Sequence, residues 1–221
     1  MLTNTEYQIS QEQLELAQQS IPNSAGSRIS LNSPTGDFFY DTWKINAEYQ
    51  GTIWEEILST LPPHGEARII KLKEGECYTI HADIDDRWHL NITGENSYLV
   101  DLLSKTMYPT LNYHCWFLMD AGLLHSAVNF GNKDRYQLVV RKLLEKNNFT
   151  DGIEVSVPNA NVHRYHFDQI YSPWLNSANK QGIISNFKFD GNTVSFVVSK
   201  EHYDQVAILE TSFNNCLAIS K

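Results

Sequence analysis

The pattern of apolar and polar residues changes near residue 66, from helical spacing to short apolar runs separated by turn residues. Turn signals such as Glu74-Gly75 and Thr93-Gly94-Glu95-Asn96 lie between these runs. Strands in close succession, without helices between them, predict an antiparallel sandwich or barrel, with a double-sheet jelly roll as the favoured form. The predicted strands are residues 67–73, 76–83, 87–93, 97–103, 115–119, 124–129 and 135–143.

Two helices are predicted before the strands, over residues 10–21 and 52–61. Each begins with a capping-box pattern, in which a hydroxyl and a side chain three residues later satisfy free backbone N–H groups. Proline follows each helix and ends it. The capping pairs are Ser10 with Gln13 and Thr52 with Glu55, and the helix-ending prolines are Pro22 and Pro62.

The part of the chain after residue 150 has a weaker pattern. A helix is predicted around residues 165–180, and Phe187 to Ser199 is predicted to be a hairpin that turns at Asp190-Gly191-Asn192. His163 and His166 are interpreted as residues of a surface helix. The pattern leaves open whether this tail covers the mouth of the barrel, packs beneath it or forms a homodimer.

Composition and charge narrow the class of protein. The 221 residues are 42% hydrophobic and 12% aromatic, enough for a sizeable core. A formal net charge of −9 without a cluster of Lys and Arg argues against a nucleic-acid partner. No apolar run approaches the ~20 residues that span a bilayer, and the N-terminal residues do not resemble a secretion signal. We therefore expect no membrane partner.

Cysteine usage suggests the compartment. Cys77, Cys115 and Cys216 are odd in number and far apart, a pattern that suits reduced thiols better than a disulfide framework. The expected location is the cytoplasm.

The candidate chemistry lies in His81-Ala82-Asp83 and in His125, far downstream. Side chains at positions i and i+2 of a strand share a face, so His81 and Asp83 point the same way. Two imidazoles and one carboxylate form the facial set that holds non-heme Fe(II) and leaves coordination positions open. The same set can also hold Zn(II), which activates water.

Strand alternation gathers more polar residues around this set. Arg87 and His89 share one face of their strand, and Arg135 begins the last strand ten positions after His125. If all these side chains face inward, a metal and an anion would compensate their burial. By the same alternation, Thr79 is expected to share the inner face with His81 and Asp83, and Ala127 and Asn129 to share it with His125. Asn129 and Trp88 are candidates for the cavity wall, with a purely structural role as the equal alternative.

Three segments together resemble the Fe(II)/2-oxoglutarate-dependent oxygenases: residues 81–90 (HADIDDRWHL), 122–129 (GLLHSAVN) and 134–135 (DR). Within that superfamily they are most similar to the aspartyl/asparaginyl β-hydroxylase group and related free-proline hydroxylases. The resemblance covers about residues 66–144.

The resemblance implies roles for individual residues. His81, Asp83 and His125 would be the iron ligands. Arg135 would bind the side-chain carboxylate of the cosubstrate 2-oxoglutarate, and Arg87 with His89 would assist its other carboxylate. Halogenases of the wider superfamily replace the ligand carboxylate by a small residue, so Asp83 favours oxygenation.

The resemblance implies the fold of the central part, and the residue pattern on either side of it completes the expected domain organisation. We expect a mainly β protein, a double-stranded β-helix (the jelly-roll or cupin-like form) with N-terminal helices and a small α+β C-terminal region. The expected parts are a helical segment packing on the barrel (1–65), the catalytic double-stranded β-helix (66–146) and a C-terminal extension (147–221).

The expected activity is that of a dioxygenase that consumes O2 and 2-oxoglutarate and releases succinate and CO2. It would hydroxylate an aspartyl, asparaginyl, prolyl or similar amino-acid unit, either free or in a peptide. Two alternatives are a non-oxidative cupin-like metal protein, such as an isomerase or zinc hydrolase, and a non-catalytic binding module. Arg135 favours the dioxygenase, because the other metal proteins have no need of a basic residue there. The substrate, the regiochemistry and the oligomeric state stay open.

Overall fold

The computed structural model describes residues 2–22, 26–110, 113–157, 167–190 and 192–207. The chain divides into two compact units, Met1–Leu143 and Leu144–Lys221. Both contain antiparallel sheets, and the predicted mainly β class is confirmed. Within the described residues, no helix combines the length and the apolar character needed to cross a membrane. His163, His166, Gly191 and Cys216 lie outside the described residues.

The first unit contains eleven strands and two α-helices among its described residues. The strands are β1 (Leu2–Gln8), β2 (Arg28–Ser30), β3 (Asn32–Ser33), β4 (Lys44–Ile45), β5 (His64–Leu72), β6 (Arg87–Thr93), β7 (Ser97–Asp101), β8 (Thr106–Pro109), β9 (Cys115–Met119), β10 (His125–Asn129) and β11 (Arg135–Lys142). The helices are α1 (Gln11–Gln19), α2 (Ile53–Leu58) and a short 3-10 turn, Ala47–Tyr49.

Two sheets of this unit form a sandwich. The larger sheet has the strand order β1-β9-β6-β11-β5-β2, and the smaller has the order β10-β7-β8. Residues 77–81 extend the smaller sheet, because Cys77 forms a β-bridge with Val128 and His81 forms one with His125. Apolar side chains of both sheets join in one buried cluster: Leu72, Leu99, Phe117, Met119, Ala121 and Ala127.

The other face of the larger sheet packs against the helices. Trp54 and Ile57 of α2 are almost fully buried in a cluster with sheet residues such as Trp88 and Leu138. Burial of one large apolar side chain contributes roughly 1.5–3 kcal/mol, so this cluster anchors the helices on the sheet. Since strand residues alternate between faces, the neighbours of these apolar residues point between the two sheets.

The strand predictions are largely confirmed, and 87–93 and 115–119 agree with the structure to the residue. The run 76–83 differs, because it has bridges at Cys77 and His81 but no continuous strand. Between its two bridges this segment has one residue more than β10 has between Val128 and His125. One extra residue on one strand of a pair is the signature of a bulge. The bulge reverses the alternation, so Tyr78 packs in the inner cluster while Thr79 is exposed. The expectation that Thr79 shares the inner face is therefore wrong.

Both N-terminal helices are confirmed. The Ser10 hydroxyl accepts a bond from the Gln13 backbone N–H, and the Gln13 side chain accepts one from the Ser10 N–H, which completes the predicted capping box. At α2 the Thr52 hydroxyl accepts from the Trp54 N–H. The Glu55 carboxylate instead accepts from the N–H of Gly51, one residue before the predicted partner.

The second unit is a small α+β structure. It contains β12 (Gly152–Val157), a π-helical turn (Phe167–Tyr171) that leads into α3 (Ser172–Lys180), β13 (Ile184–Phe189), β14 (Val194–Ser199) and a 3-10 turn (Lys200–His202). The sheet order is β12-β14-β13, all antiparallel. The predicted hairpin is confirmed by the pairing of β13 with β14, and the predicted helix is confirmed over its described part.

Candidate metal centre

Three side chains from two separate segments converge between the sheets: His81, Asp83 and His125. One ligand atom from each lies within 4.8 Å of the other two. Backbone pairing brings them together, because the His81 N–H donates to the His125 carbonyl at 3.0 Å and the His125 N–H donates back at 2.9 Å. The Asp83 N–H donates to the carbonyl of Ala121 at 2.7 Å, which places the carboxylate beside both rings.

The two imidazoles are held in the same tautomer. His81 Nδ1 lies 2.8 Å from the Thr79 carbonyl, and His125 Nδ1 lies 2.7 Å from the Leu123 carbonyl. A carbonyl only accepts, so each Nδ1 carries the proton and each Nε2 keeps its lone pair. The Nε2 atoms lie 3.9 and 3.7 Å from Asp83 Oδ2. Such backbone-fixed tautomers are typical of metal-ligating histidines.

The charge states also suit a metal. Burial opposes ionisation of Asp83, but the positive groups around it, Arg87 above all, outweigh burial and lower its pKa to about 2. Burial lowers the pKa of His125 to about 4, against the opposing effect of Asp83. At neutral pH the site therefore offers a carboxylate and a neutral imidazole, the forms that metal ions bind.

Arg87 holds the ligand carboxylate from behind. Its Nη2 lies 2.7 Å from Asp83 Oδ1 and 3.3 Å from Asp85 Oδ1. Burial would lower the pKa of Arg87, but Asp83 and Asp85 raise it overall, so the guanidinium stays charged. One oxygen of Asp83 is thus engaged by Arg87, and the other faces the histidines.

We expect Arg87→Gln to weaken Fe(II) binding about 10- to 100-fold, the usual cost of losing a residue that orients a ligand. Far-UV circular dichroism should change little. Fe(II) affinity measured by competition with a chelator tests this, with the exposed Lys133→Gln as the control that also removes one positive charge. Equal affinities for the two variants would contradict the orienting role.

His89 lies on the inner face of β6, stacked on Phe117 with ring centroids 5.2 Å apart. Its Nδ1 lies 2.9 Å from Gln137 Oε1, which also accepts a bond from Arg135 Nη2. A guanidinium only donates, so the Gln137 oxygen is fixed in place and His89 Nδ1 must donate to it. His89 Nε2 is then a buried acceptor, and it has no partner within the described residues.

The neutral state of His89 makes stability depend on pH. Burial lowers its pKa to about 3, although the bond to Gln137 opposes this. The unfolded chain protonates this group below about pH 6.5, so stability falls as the pH drops from there towards 3. The free energy of unfolding of the wild type falls between pH 7 and pH 5. We expect this fall to be about 2 kcal/mol smaller in His89→Leu, which has no group to protonate at that position.

Urea unfolding of the metal-free protein at the two pH values measures this loss. Burial of His125 acts in the same direction, so the His89→Leu variant should keep a smaller pH dependence. An identical loss of stability in wild type and variant would show that His89 does not titrate in this way.

Arg135 is the first residue of β11 and is only 2% exposed. Its Nη2 donates to Gln137, while Nε and Nη1 have no partner within the described part of the chain. Burial lowers its pKa to about 10, so it remains a cation at neutral pH. Gly94 packs directly against it, and a Cβ there would lie 2.9 Å from Arg135 Cβ. A buried cation with free donors is a prepared site for an anion.

The sequence interpretation missed several polar residues of this inner face. Alternation along β11 places Gln137 and Arg141 on the same face as Arg135, and this signal was available in the sequence. Opposite them, Gln137 Nε2 donates to Asn91 Oδ1 at 2.5 Å. Further inward charged residues are Glu66, Arg68 and Asp85.

Trp88 and Asn129 have structural roles here. Trp88 belongs to the cluster that packs against the helices, on the face away from the metal ligands. Asn129 Nδ2 donates to the carbonyls of Leu72 and Lys133, and its oxygen accepts from the Gly131 N–H. These bonds shape the turn between β10 and β11.

No family model matches the chain, and no curated protein matches it. Among solved structures it is similar to CapF with the inhibitor 3-isopropenyl-tropolone, at 12% identity and a TM-score of 0.30, over 47% of this chain and 40% of that one. It is also similar to an oxidoreductase of the 2OG-Fe(II) oxygenase family from Burkholderia pseudomallei, at 10% identity and a TM-score of 0.36, over 59% of this chain and 76% of that one. The chain thus covers well under two thirds of the CapF structure. At these scores neither likeness assigns a function.

Proposed function

We propose that this protein is an Fe(II)- and 2-oxoglutarate-dependent dioxygenase that hydroxylates an amino-acid unit of the aspartyl, asparaginyl or prolyl type, free or in a peptide. One observation carries the proposal. The His81, Asp83 and His125 cluster lies between the same two sheets as Arg135, a buried cation with two unpartnered nitrogens. A metal and a dicarboxylate together would use both features.

The strand order supports a double-stranded β-helix as the catalytic core. Between β5 and β11 the chain passes back and forth between the two sheets. Strands β5, β6, β9 and β11 belong to the larger sheet, and residues 77–81, β7, β8 and β10 belong to the smaller. This alternation winds one chain through two facing sheets, which is the jelly-roll arrangement. The proposed catalytic core is residues 66–146, and β1 from the N-terminal segment adds an edge strand to its larger sheet.

The residues present fit iron. His81, Asp83 and His125 would hold it through two imidazole nitrogens and one carboxylate oxygen, the set typical of non-heme Fe(II) oxygenases. When bound, Fe(II) and 2-oxoglutarate supply the oxidation, in which one atom of O2 enters the substrate and the other enters the succinate formed with CO2. The protein supplies orientation and exclusion of water.

Each surrounding residue then has a physical task. Arg135 keeps unpartnered donors at Nε and Nη1 for the side-chain carboxylate of 2-oxoglutarate, and a guanidinium is the side chain best suited to a carboxylate. Arg87 fixes the rotamer of Asp83. The stacked rings of His89 and Phe117 form a flat wall. In the tautomer set by Gln137, His89 Nε2 would accept a hydrogen bond rather than donate one to a carboxylate.

The test is an anaerobic titration of the purified protein with Fe(II) and then 2-oxoglutarate. A visible metal-to-ligand charge-transfer band should appear only when both are present. Mass spectrometry of an amino-acid and peptide panel under turnover should then show a gain of one oxygen atom with stoichiometric succinate. Absence of the band would contradict the dioxygenase proposal. Tight binding of Zn(II) together with hydrolysis of a panel member would favour the zinc hydrolase alternative.

A further inference from the structure

Charged side chains form a continuous network next to the ligand carboxylate. Arg87 contacts both Asp83 and Asp85, and Arg141 Nε lies 2.5 Å from Asp85 Oδ2. Glu66 Oε2 lies 2.6 Å from Arg68 Nη1 and 3.6 Å from Arg141 Nη2. We call this set the arginine network, and its members are Glu66, Arg68, Asp83, Asp85, Arg87 and Arg141.

The register of the larger sheet places the network at the end nearest the metal ligands. Arg141 lies directly opposite Arg87 across β11 and β6. Arg135, six residues earlier on β11, lies at the other end of the same inner face. The guanidinium of Arg141 also lies 4.1 Å from the ring centroid of Phe38, an aromatic side chain that is 40% exposed. The ring thus covers one side of Arg141, whose strand position places it on the face of β11 that points between the sheets.

Two arginines of the network have donors without acceptors. Arg68 and Arg141 are each 7% exposed. Arg68 Nε and Arg141 Nη1 have no hydrogen-bond partner within the described residues, and Arg141 Nε approaches Asp85 without hydrogen-bond alignment. A buried, unsatisfied donor costs roughly 1–3 kcal/mol, and more when it is charged. These groups are therefore expected to have an acceptor in the working enzyme.

The sum of charges indicates what that acceptor is. The three arginines and three carboxylates of the network balance each other. A divalent cation with neutral imidazole ligands adds two positive charges, and Arg135 adds a third. The 2-oxoglutarate dianion neutralises only two of these. These groups together then keep one positive charge beside the unpartnered donors of Arg68 and Arg141, and a further anion would satisfy those donors.

We propose that this anion is a carboxylate of the substrate and that Arg141, assisted by Arg68, binds it; the inference rests on the proposed function. The substrate class is accordingly narrowed to amino-acid units that carry a carboxylate near the reacting carbon. This carboxylate is either the α-carboxylate of a free amino acid or the side-chain carboxylate of an aspartyl residue. Neutral asparaginyl units and prolyl units inside a peptide are excluded.

The experiment measures substrate binding in the absence of turnover. The anaerobic protein with Fe(II) and 2-oxoglutarate is titrated calorimetrically with free amino acids, with their primary amides, and with blocked aspartyl and asparaginyl peptides. At least one acid should bind about tenfold or more tightly than its amide, because a charge-assisted pair with a guanidinium is lost in the amide. The free amino acids and the blocked peptides distinguish the two sources of the carboxylate.

Two variants that change the ratio of acid to amide affinity in opposite directions distinguish substrate recognition from an effect on folding. Arg141→Gln should bring the ratio of acid to amide affinity close to one. Glu66→Gln should raise that ratio, because it removes the anion that competes for Arg68 and Arg141. Lys133→Gln, which removes an exposed cation in the turn between β10 and β11, should leave the ratio unchanged. A general loss of structure would lower binding in both network variants.

Equal binding of acids and amides by the wild type, or no binding of any panel member, would overturn this inference. A preference for acids that persists in Arg141→Gln would overturn it as well. The charge-transfer band is recorded first in the same samples. If the band forms and acids are not preferred, only the substrate inference fails; if the band does not form, the proposed function fails and the inference fails with it.

Discussion

Replacing His125 by alanine is expected to abolish Fe(II) binding and turnover together. The three candidate ligand atoms lie within 4.8 Å of one another, and His125 supplies one of them. Fe(II) affinity should fall at least about 100-fold, more than the usual cost of losing a supporting residue. The measurement is a chelator competition combined with the absorbance band formed on addition of 2-oxoglutarate.

The matched control is His114→Ala, a histidine outside the cluster. It should bind Fe(II) and 2-oxoglutarate as the wild type does. The His125→Ala variant should also lose part of the acid sensitivity of the metal-free protein, since burial lowers the pKa of His125 to about 4. Fe(II) binding retained by His125→Ala would show that the metal binds elsewhere in the protein.

Replacing Arg135 by methionine should have effects of opposite sign on cosubstrate binding and on stability. Charge-assisted hydrogen bonds to a buried guanidinium contribute about 1.5–3 kcal/mol each, so loss of two predicts 2-oxoglutarate binding weaker by about 100-fold or more. The metal-free protein should become no less stable, because the variant buries an apolar chain of similar length in place of a cation whose Nε and Nη1 have no partner within the described residues.

Calorimetric titration with 2-oxoglutarate and urea unfolding of the metal-free protein measure the two effects. Arg135→Lys should bind 2-oxoglutarate with intermediate affinity, since a point charge replaces the planar fork. A marked loss of stability in Arg135→Met with unchanged 2-oxoglutarate binding would make Arg135 a structural residue and remove the main support for a dicarboxylate cosubstrate.

Local signals in the sequence were sufficient for most elements that are stabilised locally. The capping box at Ser10 and the apolar alternation of residues 87–93 depend on neighbours within a few positions, and both are found in the structure. Strand β1 was not predicted, because it is a largely polar edge strand. Its existence depends on pairing with β9, more than a hundred residues away.

The metal ligands illustrate the same division. The spacing of His81 and Asp83 placed them on one side of an extended segment, and the structure brings them together with His125. Thr79 could not be placed correctly, because the bulge between Tyr78 and His81 is defined only against β10. The sequence also did not indicate that Arg87 would pair with Asp83. The turn between Asp83 and β6 brings the Arg87 guanidinium to the Asp83 carboxylate.

The sequence by itself determined which residue types stand at which strand positions: two imidazoles and a carboxylate for a metal, and an arginine ten residues after the second imidazole. Which of these side chains share a face of a strand follows from local alternation, because successive side chains of any strand point to opposite faces. Only the tertiary structure decided the tautomers, the burial of Arg135 and the pairing of the arginine network. Those properties depend on distances between atoms that are remote in sequence, and packing of the two sheets sets those distances.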